Sequence, residues 1–313
     1  MNPCKAAAVA ALLLAAACAA SPETPDPADP ADPPASLPTD CAGSDGCMAS
    51  GVATPTAPEP IAPVITANAL PVHYPLRVLQ LNLCNSGLAG CFDGGKSVPE
   101  AATVIASNKP DVVTLNEICQ PDVVTLSTTL ANAFSGSTVV WAFKAAADRR
   151  TGAAYKCKNG QDYGIGLIAH IPGTFAGYQI FSGIYASQDT TSNEERAWLC
   201  VNAVGGFYAC TTHLASTSGT VALNQCKDLM NNLIPAVHTS VGASAPTVVG
   251  GDLNLKFGGS PNAQSCVPPG YFRKGDGSVQ HIMASTDLVF ASSKSINMDH
   301  TDHDGWLVAL TAP

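Results

Sequence analysis

Residues 248–254 read Val-Val-Gly-Gly-Asp-Leu-Asn, and this stretch predicts a buried strand that ends in an acid and an amide. Val248 and Val249 have the β-branched character of an interior strand, and the two glycines permit a tight turn or a close approach. Asp252 and Asn254 lie two residues apart, so at a strand end their side chains point the same way. Taken alone, the stretch fits an Asx turn better than a functional site. The rest of the chain changes that balance.

The first 20 residues place one lysine before an Ala/Leu run that ends in small residues. This pattern predicts a secretory signal peptide, and the run is too short to span a membrane. Residues 14–18 resemble a bacterial lipobox with Cys18 as the lipidated residue. The large apolar residue lies one place too far from Cys18, so conventional cleavage near Ala17 or Ala20 is the alternative. We expect an exported protein, either a cell-envelope lipoprotein or a secreted one, that meets a membrane only through this anchor.

Residues 21–70 are rich in Pro, Ala, Asp, Ser and Thr and have almost no large apolar side chains before Ile61. This composition predicts a disordered tether, which leaves 71–313 as one folded domain, monomeric in our expectation. Seven of the 24 acids and one of the 15 bases precede residue 71, so the domain carries 17 acids and 14 bases. Its net charge therefore argues neither for nor against a nucleic-acid partner.

Twelve cysteines are present, and ten remain after Cys4 and Cys18 of the signal are set aside. An even set in an exported chain predicts disulfides, whereas the lack of CxxC pairs argues against structural zinc. The predicted pairs are Cys84–Cys91, Cys200–Cys210 and a local Cys41–Cys47, with Cys119–Cys157 and Cys226–Cys266 left as remainders.

Periodicity predicts a layered α/β architecture with mixed sheets, because strands outnumber the helices between them. Predicted strands cover 76–83, 111–115, 139–143, 164–169, 178–184, 197–203, 207–212, 247–250, 287–291 and 306–310, and predicted helices cover 98–107, 122–133 and 221–237.

Polar side chains recur at the ends of these predicted strands, where functional groups often lie. Each has an ordinary structural interpretation, such as a turn cap, a surface acid or a framework histidine. Six such positions, each of a type suited to one hard-metal hydrolytic site, favour a functional interpretation of the set. They are Asn82, Glu117, His213, Asp252 with Asn254, Asp287, and the acid/histidine run 299–304.

The series resembles the endonuclease/exonuclease/phosphatase superfamily, which includes deoxyribonuclease I. The resemblance implies a four-layer α/β sandwich, with two mixed β-sheets packed face to face and flanked by helices. The motifs occur in the family's order: LNL at 81–83, DVVTLNE at 111–117, YGIGL at 163–167, ERAWL at 195–199, TTHL at 211–214, GGDLN at 250–254, STDLV at 285–289 and TDH at 301–303.

Chemistry and the resemblance together assign roles to the set. Glu117, with Asn82 beside it, is predicted to bind a divalent metal, most simply Mg²⁺ with Mn²⁺ or Ca²⁺ as alternatives. His303 is the predicted base, with Asp252 orienting the water or acting as the base itself, and His300 is its rival. His213, most strongly as an imidazolium, and Asn254 would donate to phosphate oxygens. Asp287 would orient His213, and the resemblance assigns Asp302 to the metal region or to water activation.

The substrate is predicted less directly than the reaction. The basic loop with Arg149 and Arg150 suits a nucleic-acid backbone or a lipid headgroup, although a solvated surface loop fits it equally. Tyr163 and Arg196, from two of the motifs, are also predicted to bind substrate. We expect a nuclease-like, metal-dependent phosphodiesterase. The alternatives are a phosphoinositide phosphatase or sphingomyelinase-like phospholipase, and a non-catalytic binding module on the same scaffold.

Overall fold

The structure, a computed structural model, describes residues 49–51, 74–171, 177–204 and 206–311. Its strands are β1 Ala49–Gly51, β2 Pro75–Asn82, β3 Val112–Cys119, β4 Thr138–Ala145, β5 Ala147–Asp148, β6 Tyr163–Ile171, β7 Tyr178–Ile184, β8 Glu194–Glu195, β9 Ala197–Ala203, β10 Phe207–His213, β11 Thr247–Asp252, β12 Tyr271–Gly275, β13 Gln280–Ser285, β14 Val289–Ile296 and β15 Gly305–Thr311. Its α-helices are α1 Ser97–Asn108, α2 Gln120–Ala133, α3 Gly219–Asp228 and α4 Ile234–Val241.

Two mixed sheets carry most of these strands. One has the order β1-β4-β6-β3-β2-β15-β14, and the other has the order β12-β13-β11-β10-β9-β7. Within each sheet one pair of central strands is parallel, β2 with β3 and β10 with β11. The carboxyl ends of the two strands in each pair therefore lie at the same edge of their sheet.

The buried side chains define four layers. Alternate residues of one strand point to opposite faces, and on β2 Val78 packs in a core shared by the two sheets whereas Leu79 packs under α1 and α2. On β11, Val248 belongs to the shared core and Val249 packs against α3 and α4. The predicted sandwich of two face-to-face mixed sheets flanked by helices is confirmed.

The two sheets approach each other closely at Gly250, one of the glycines that the sequence singles out. A Cβ built there would lie 2.3 Å from Oγ1 of Thr114 on the facing sheet. Any side chain at position 250 would therefore push the sheets apart next to the polar end of β11.

Three elements differ from expectation. The predicted helix 221–237 is α3, a π-helical turn at Leu229–Leu233, and α4. Pro235 lies at the start of α4 and has no N–H to continue the preceding ladder. Strands β12 and β13 were not predicted, and the strand expected over 287–291 begins only at Val289, after a turn that contains Asp287.

All four predicted disulfides of the described domain are present: Cys84–Cys91, Cys119–Cys157, Cys200–Cys210 and Cys226–Cys266. The signal peptide with Cys18 and the Cys41–Cys47 pair lie outside the described residues, as does the tether apart from Ala49–Gly51, which pair with β4. None of the helices described is both long and apolar enough to cross a membrane.

Candidate active site

The residues that face the inter-sheet core change from apolar to polar toward one end of the sandwich. On β2 the change runs from Val78 to Asn82, and on β11 it runs from Val248 to Asp252. The two ends meet, because the Asn82 Nδ2 atom donates to Oδ2 of Asp252 over 3.1 Å. Side chains far apart in sequence are thus joined across the two sheets.

A cleft of about 400 Å³ opens at this end. Eight of the predicted site residues line it: Glu117, Tyr163, Arg196, His213, Asp252, Asn254, Asp302 and His303. Six residues that were not predicted as site residues line it as well: Ser86, Leu88, Ala89, Tyr155, Glu194 and Ser216.

Asn82 holds the two central carboxylates of the cleft. Its Nδ2 atom lies 3.0 Å from Oε1 of Glu117 in addition to its bond to Asp252. Its Oδ1 atom accepts the backbone N–H of Cys84 at 3.1 Å. In this arrangement the amide nitrogen faces Glu117, so Asn82 positions that carboxylate, and the ligand role of its oxygen stays a prediction. Burial raises the pKa of Glu117, against the lowering effect of this hydrogen bond.

Asn116 fixes the backbone of Asp252 from the facing sheet. Its Oδ1 atom accepts the Asp252 N–H at 2.7 Å, and its Nδ2 atom donates to the Thr212 carbonyl at 3.1 Å. Gln80 donates to the same Oδ1 atom at 2.7 Å. Because these groups are buried and mutually bonded, the position of Asp252 depends on both sheets.

Left-handed backbone occurs at three positions around the cleft. The φ angles are 46° at Cys84, 53° at Glu117 and 49° at Asn254. Such conformations cost non-glycine residues roughly 1–3 kcal/mol each. At Glu117 the strained residue falls within a register shift between β3 and β6, which turns its side chain out of the regular sheet into the cleft.

His213 is a neutral imidazole with a defined tautomer. Burial, and then the charge of Arg196, hold the His213 pKa well below its usual value. The Arg196 Nη1 atom lies 2.6 Å from Nδ1 of His213, and guanidinium can only donate, so Nδ1 accepts and Nε2 carries the proton. The Nε2 atom lies 3.9 Å from Oε1 of Glu117. His213 therefore presents an N–H to the cleft as a neutral donor, and the low pKa disfavours the imidazolium form that would donate more strongly.

Arg196 is itself held by a partly buried acid. Its Nη1 atom lies 2.8 Å from Oε1 of Glu194, and its Nη2 atom donates to the Ser216 hydroxyl at 3.3 Å. Burial raises the Glu194 pKa, and the charge of Arg196 opposes that rise. The predicted substrate-binding residue thus also sets the tautomer of His213.

His303 lies beside two carboxylates. Its Nε2 atom is 3.6 Å from Oδ2 of Asp252 and 3.7 Å from Oδ1 of Asp302. The rival His300 is not among the cleft residues, because its Nδ1 atom bonds to Asp93 at 2.7 Å. Asn254 completes this side: its N–H donates to Oδ1 of Asp252 at 2.9 Å, and its Nδ2 atom donates to the Leu214 carbonyl at 2.9 Å. One amide hydrogen of Asn254 remains for a ligand.

The predicted pairing of Asp287 with His213 is wrong. Strand β13 is antiparallel to β11 with Gln280 opposite Asp252, so the turn that holds Asp287 lies at the other end of the sheet. There it interacts electrostatically with His238 and Tyr271. The missed strand β13 explains the error, since without it the chain direction before Asp287 cannot be assigned.

Arg149 and Arg150 are not among the cleft residues. Arg149 donates to the carbonyls of Asp189 and Ser192 at 3.0 and 3.1 Å, and Arg150 pairs with Asp148 at 2.8 Å. Arg149 therefore ties two loops together, which differs from the substrate contact expected of it.

The cleft has the composition of a cation site. Four carboxylates line it, Glu117, Glu194, Asp252 and Asp302, against one guanidinium. A hard divalent cation prefers carboxylate and carbonyl oxygens. Glu194 is paired with Arg196 at 2.8 Å, whereas the nearest histidine nitrogen to Glu117 is 3.9 Å away, so the Glu117 carboxylate is the better metal ligand. Asp302 lies within 4.8 Å of Cys84 and Cys91, but their sulfurs form a disulfide and cannot act as thiolate ligands. The donor set therefore fits one hard divalent ion.

Glu194 is the missed residue that the sequence could have indicated. It lies two positions before Arg196, and residues i and i+2 of an extended segment share a face. Ser86, Leu88 and Ala89 reach the cleft through the Cys84–Cys91 loop, whose path has no periodic signal.

Comparison with known proteins agrees with this geometry. The model of the Endonuclease/Exonuclease/phosphatase family matches residues 82–303. No curated protein matches the chain by sequence.

Solved structures share the fold at low sequence identity. An endonuclease/exonuclease/phosphatase from Beutenbergia cavernae DSM 12333 has a TM-score of 0.54 and 18% identity, over 76% of this chain and 72% of that one. A family protein from Bacteroides thetaiotaomicron has a TM-score of 0.51 and 13% identity, over 77% and 99%. ANGEL2, a 2′,3′-cyclic phosphatase solved with adenosine-2′,3′-vanadate, has a TM-score of 0.52 and 12% identity, over 77% and 96%.

Proposed function

Because the chain belongs to the endonuclease/exonuclease/phosphatase family, and so to the hydrolases of phosphoester bonds, we propose that it is an exported, metal-dependent, nuclease-like phosphodiesterase. The observation that carries the proposal is the cleft itself. It joins a strained, partly buried Glu117, a neutral N–H donor at His213 and an Asp252–His303 pair.

Glu117 is the residue that would hold the metal, positioned by Asn82, with Asp302 as a further carboxylate at the same cleft. When bound, a divalent ion such as Mg²⁺ neutralises charge on a phosphoryl oxygen and aligns the ester for in-line attack.

The Asp252–His303 pair takes the proton of the attacking water. Asp252 is almost fully buried, and its orientation is fixed by Asn82, Asn116 and Asn254. An imidazole beside such a carboxylate is suited to accept a proton near neutral pH, since the carboxylate stabilises the resulting charge.

Two side-chain donors of the cleft bind the phosphate. The Nε2–H of His213 and the free amide hydrogen of Asn254 donate to phosphoryl oxygens, and Arg196 supplies positive charge behind His213. Because these donors are already oriented, charge that develops on the phosphate is stabilised without reorganisation.

Export is supported by the four disulfides of the domain and by the N-terminal signal pattern. Fractionation of expressing cells tests it, with Cys18→Ala distinguishing the lipoprotein from the secreted form. Loss of envelope association in Cys18→Ala supports lipidation, whereas unchanged distribution supports conventional cleavage.

Hydrolysis assays with the purified, disulfide-bonded protein test the activity. Substrates are bis-p-nitrophenyl phosphate, plasmid DNA, RNA and a phosphoinositide panel, each with Mg²⁺, Mn²⁺, Ca²⁺ or EDTA. His303→Ala should lower kcat by about 10²–10⁴-fold, and Glu117→Gln should weaken metal binding in calorimetry. The matched control is His300→Ala, from the same acidic run but outside the cleft, and it should retain activity.

The results separate the competing functions. Metal-dependent cleavage of DNA or RNA that His303→Ala loses supports the proposal. Preference for phosphoinositides indicates a lipid phosphatase, and no turnover by folded, metal-loaded protein indicates a binding module.

A further inference from the structure

A second cavity of about 380 Å³ lies beside the catalytic cleft. Ser86 lines both spaces, and the segment inside the Cys84–Cys91 loop separates them. A substrate that extends past Ser86 from a phosphate in the cleft would reach this cavity. Its other lining residues are Asn85, Gly87, Phe92, Gly94, Gly95, Val98, Asp122, Lys158, Asn159 and Gln161.

Asn85 leaves a buried acceptor without a partner in this cavity. The residue is 8% exposed, and its Oδ1 atom is buried with no hydrogen bond. Its Nδ2 atom donates to Oδ2 of Asp122 at 2.7 Å, which fixes the direction of the amide. An unpaired buried acceptor is unfavourable, so the cavity has a place for an N–H or O–H donor.

Glycines leave the space beside this buried acceptor unfilled by side chains. Gly94 and Gly95 line the cavity with φ angles of 63° and 83°. A Cβ at Gly95 would lie 3.8 Å from the unpaired Oδ1 atom, whereas the glycine leaves that space open.

The surrounding backbone is fixed before any ligand arrives. The Asn85 N–H donates to the Glu117 carbonyl at 2.8 Å, and the Lys158 N–H donates to the Ser86 carbonyl at 2.8 Å. Together with the Cys84–Cys91 disulfide, these bonds connect the cavity directly to the strained Glu117 of the cleft.

The remaining walls offer a flat apolar surface and charge. Phe92 is 38% exposed and Val98 is buried, so an aromatic face borders the cavity. Asp122 adds a second acceptor next to Asn85, and Lys158 adds a cation. A planar ring with an amino group, attached to a phosphate, matches these features: the ring stacks on Phe92, and the amino group donates to both acceptors.

We propose that this cavity is a base subsite, which receives a nucleobase flanking the scissile phosphate and favours amino-bearing bases. Adenine and cytosine carry an exocyclic amino group with two hydrogens. Thymine and uracil present one ring N–H between two carbonyl oxygens, and those oxygens would face the acceptors of Asn85 and Asp122 unfavourably. The inference rests on the proposed nuclease-like function and specifies its substrate.

The test compares the full-length protein with Phe92→Ala and Asn85→Leu on two kinds of substrate. Bis-p-nitrophenyl phosphate has no base and reports the cleft alone. Oligo-dA, oligo-dC and oligo-dT report the cleft and the subsite together. The control is Phe257→Ala, an exposed aromatic residue that lines neither space.

Wild-type protein should cleave oligo-dA and oligo-dC with higher kcat/KM than oligo-dT. Phe92→Ala should lose on the order of 10-fold on all three oligonucleotides and little on bis-p-nitrophenyl phosphate, since stacking on an aromatic ring tolerates any base. Asn85→Leu should remove the preference over oligo-dT. Calorimetry with deoxyadenosine 5′-monophosphate in EDTA should show weaker binding to both variants, which is a readout independent of turnover.

Unchanged oligonucleotide kinetics and nucleotide binding in both variants would overturn the subsite while the proposed function stands. Phosphoinositide hydrolysis by the same variants is measured alongside, and a loss confined to it would overturn the subsite too, because the cavity would then serve a headgroup. Failure of the wild type on every substrate would instead contradict the proposed function.

Discussion

Replacing Arg196 by Met tests the coupling between the buried ion pair and the His213 tautomer. Arg196 is 7% exposed, lies 2.8 Å from Oε1 of Glu194, and donates to Nδ1 of His213 over 2.6 Å. Met keeps an unbranched apolar side chain but removes the charge and every donor. The substitution therefore leaves a partly buried acid without its cation and an imidazole without the donor that sets its tautomer.

The loss of stability follows from the unpaired Glu194. Removing one partner of a buried ion pair typically costs about 3–5 kcal/mol, and the 16% exposure of the Glu194 side chain favours the lower end of that range. For a domain of this size each kcal/mol corresponds to roughly 2–4 °C in Tm. We therefore expect Tm to fall by about 10 °C at pH 7.

The loss of activity follows from His213. Without Arg196, the imidazole can carry its proton on Nδ1 and present a lone pair to the phosphate. Loss of a residue that fixes a functional histidine typically costs 10–100-fold, so kcat should fall by that order. The His213 pKa should rise, because the charge of Arg196 is one cause of its low value. Burial, the larger cause, remains in the variant, so the His213 ionisation should move to higher pH in the pH–rate profile than in the wild-type protein.

Thermal unfolding, kcat on bis-p-nitrophenyl phosphate and ¹⁵N NMR of the histidine rings measure these effects. The matched control is the double variant Glu194→Gln/Arg196→Met, which removes both charges. It should recover most of the Tm loss but none of the activity loss. Wild-type kcat in Arg196→Met, or an Nδ1–H tautomer of His213 in the wild-type protein, would refute the reasoning.

Three further predictions concern stability. Burial lowers the His281 pKa to about 4. The neutral imidazole therefore contributes fully to folding stability above the unfolded pKa near 6.5, and this contribution declines as pH falls from there to about 4. His281→Asn should remove up to about 3 kcal/mol of this pH dependence of the unfolding free energy, measured by urea titrations at pH 7.5 and 4.5. Gly250→Ala should cost about 1–3 kcal/mol, because the new methyl overlaps Thr114, whereas Gly90→Ala, with nothing within 4 Å of its Cβ, should cost much less. Replacing Cys226 and Cys266 by Ala removes a disulfide between residues 40 apart in sequence and should lower the free energy of unfolding by roughly 4 kcal/mol in the same titrations. An unchanged midpoint would contradict the presence of this disulfide.

Local pattern was sufficient for the strands that surround the cleft. Strands β2, β10 and β11 each combine apolar residues on the inner face with a polar residue at the carboxyl end, and that combination is visible without any tertiary contact. An even cysteine count and local spacing indicated the pairs Cys84–Cys91 and Cys200–Cys210, whereas Cys119–Cys157 and Cys226–Cys266 were one of three possible pairings of the remaining four cysteines.

Pattern failed where an element lacks regular alternation. Strand β12 has only partly buried side chains, and β13 is buried along its whole length, so neither shows the period of two that identifies a half-buried strand. Because β13 was not predicted, Asp287 was expected at the cleft end of the sheet, whereas it lies at the opposite end. The helix expected over 221–237 was divided for a reason visible in the sequence, since Pro235 interrupts the donor ladder.

The sequence by itself determined which residue types gather for the chemistry: Glu117, His213, Asp252, Asn254 and His303 follow strands or precede one, and the order of their motifs identifies the family. Only the tertiary structure decided how these groups are charged and directed. Arg196 is 17 residues from His213 in sequence, yet it sets that imidazole's tautomer, and Asn82 reaches Asp252 across a separation of 170 residues. Proton positions and pKa values depend on burial and on neighbours within a few ångströms, and packing of the two sheets, rather than local sequence, creates those neighbours.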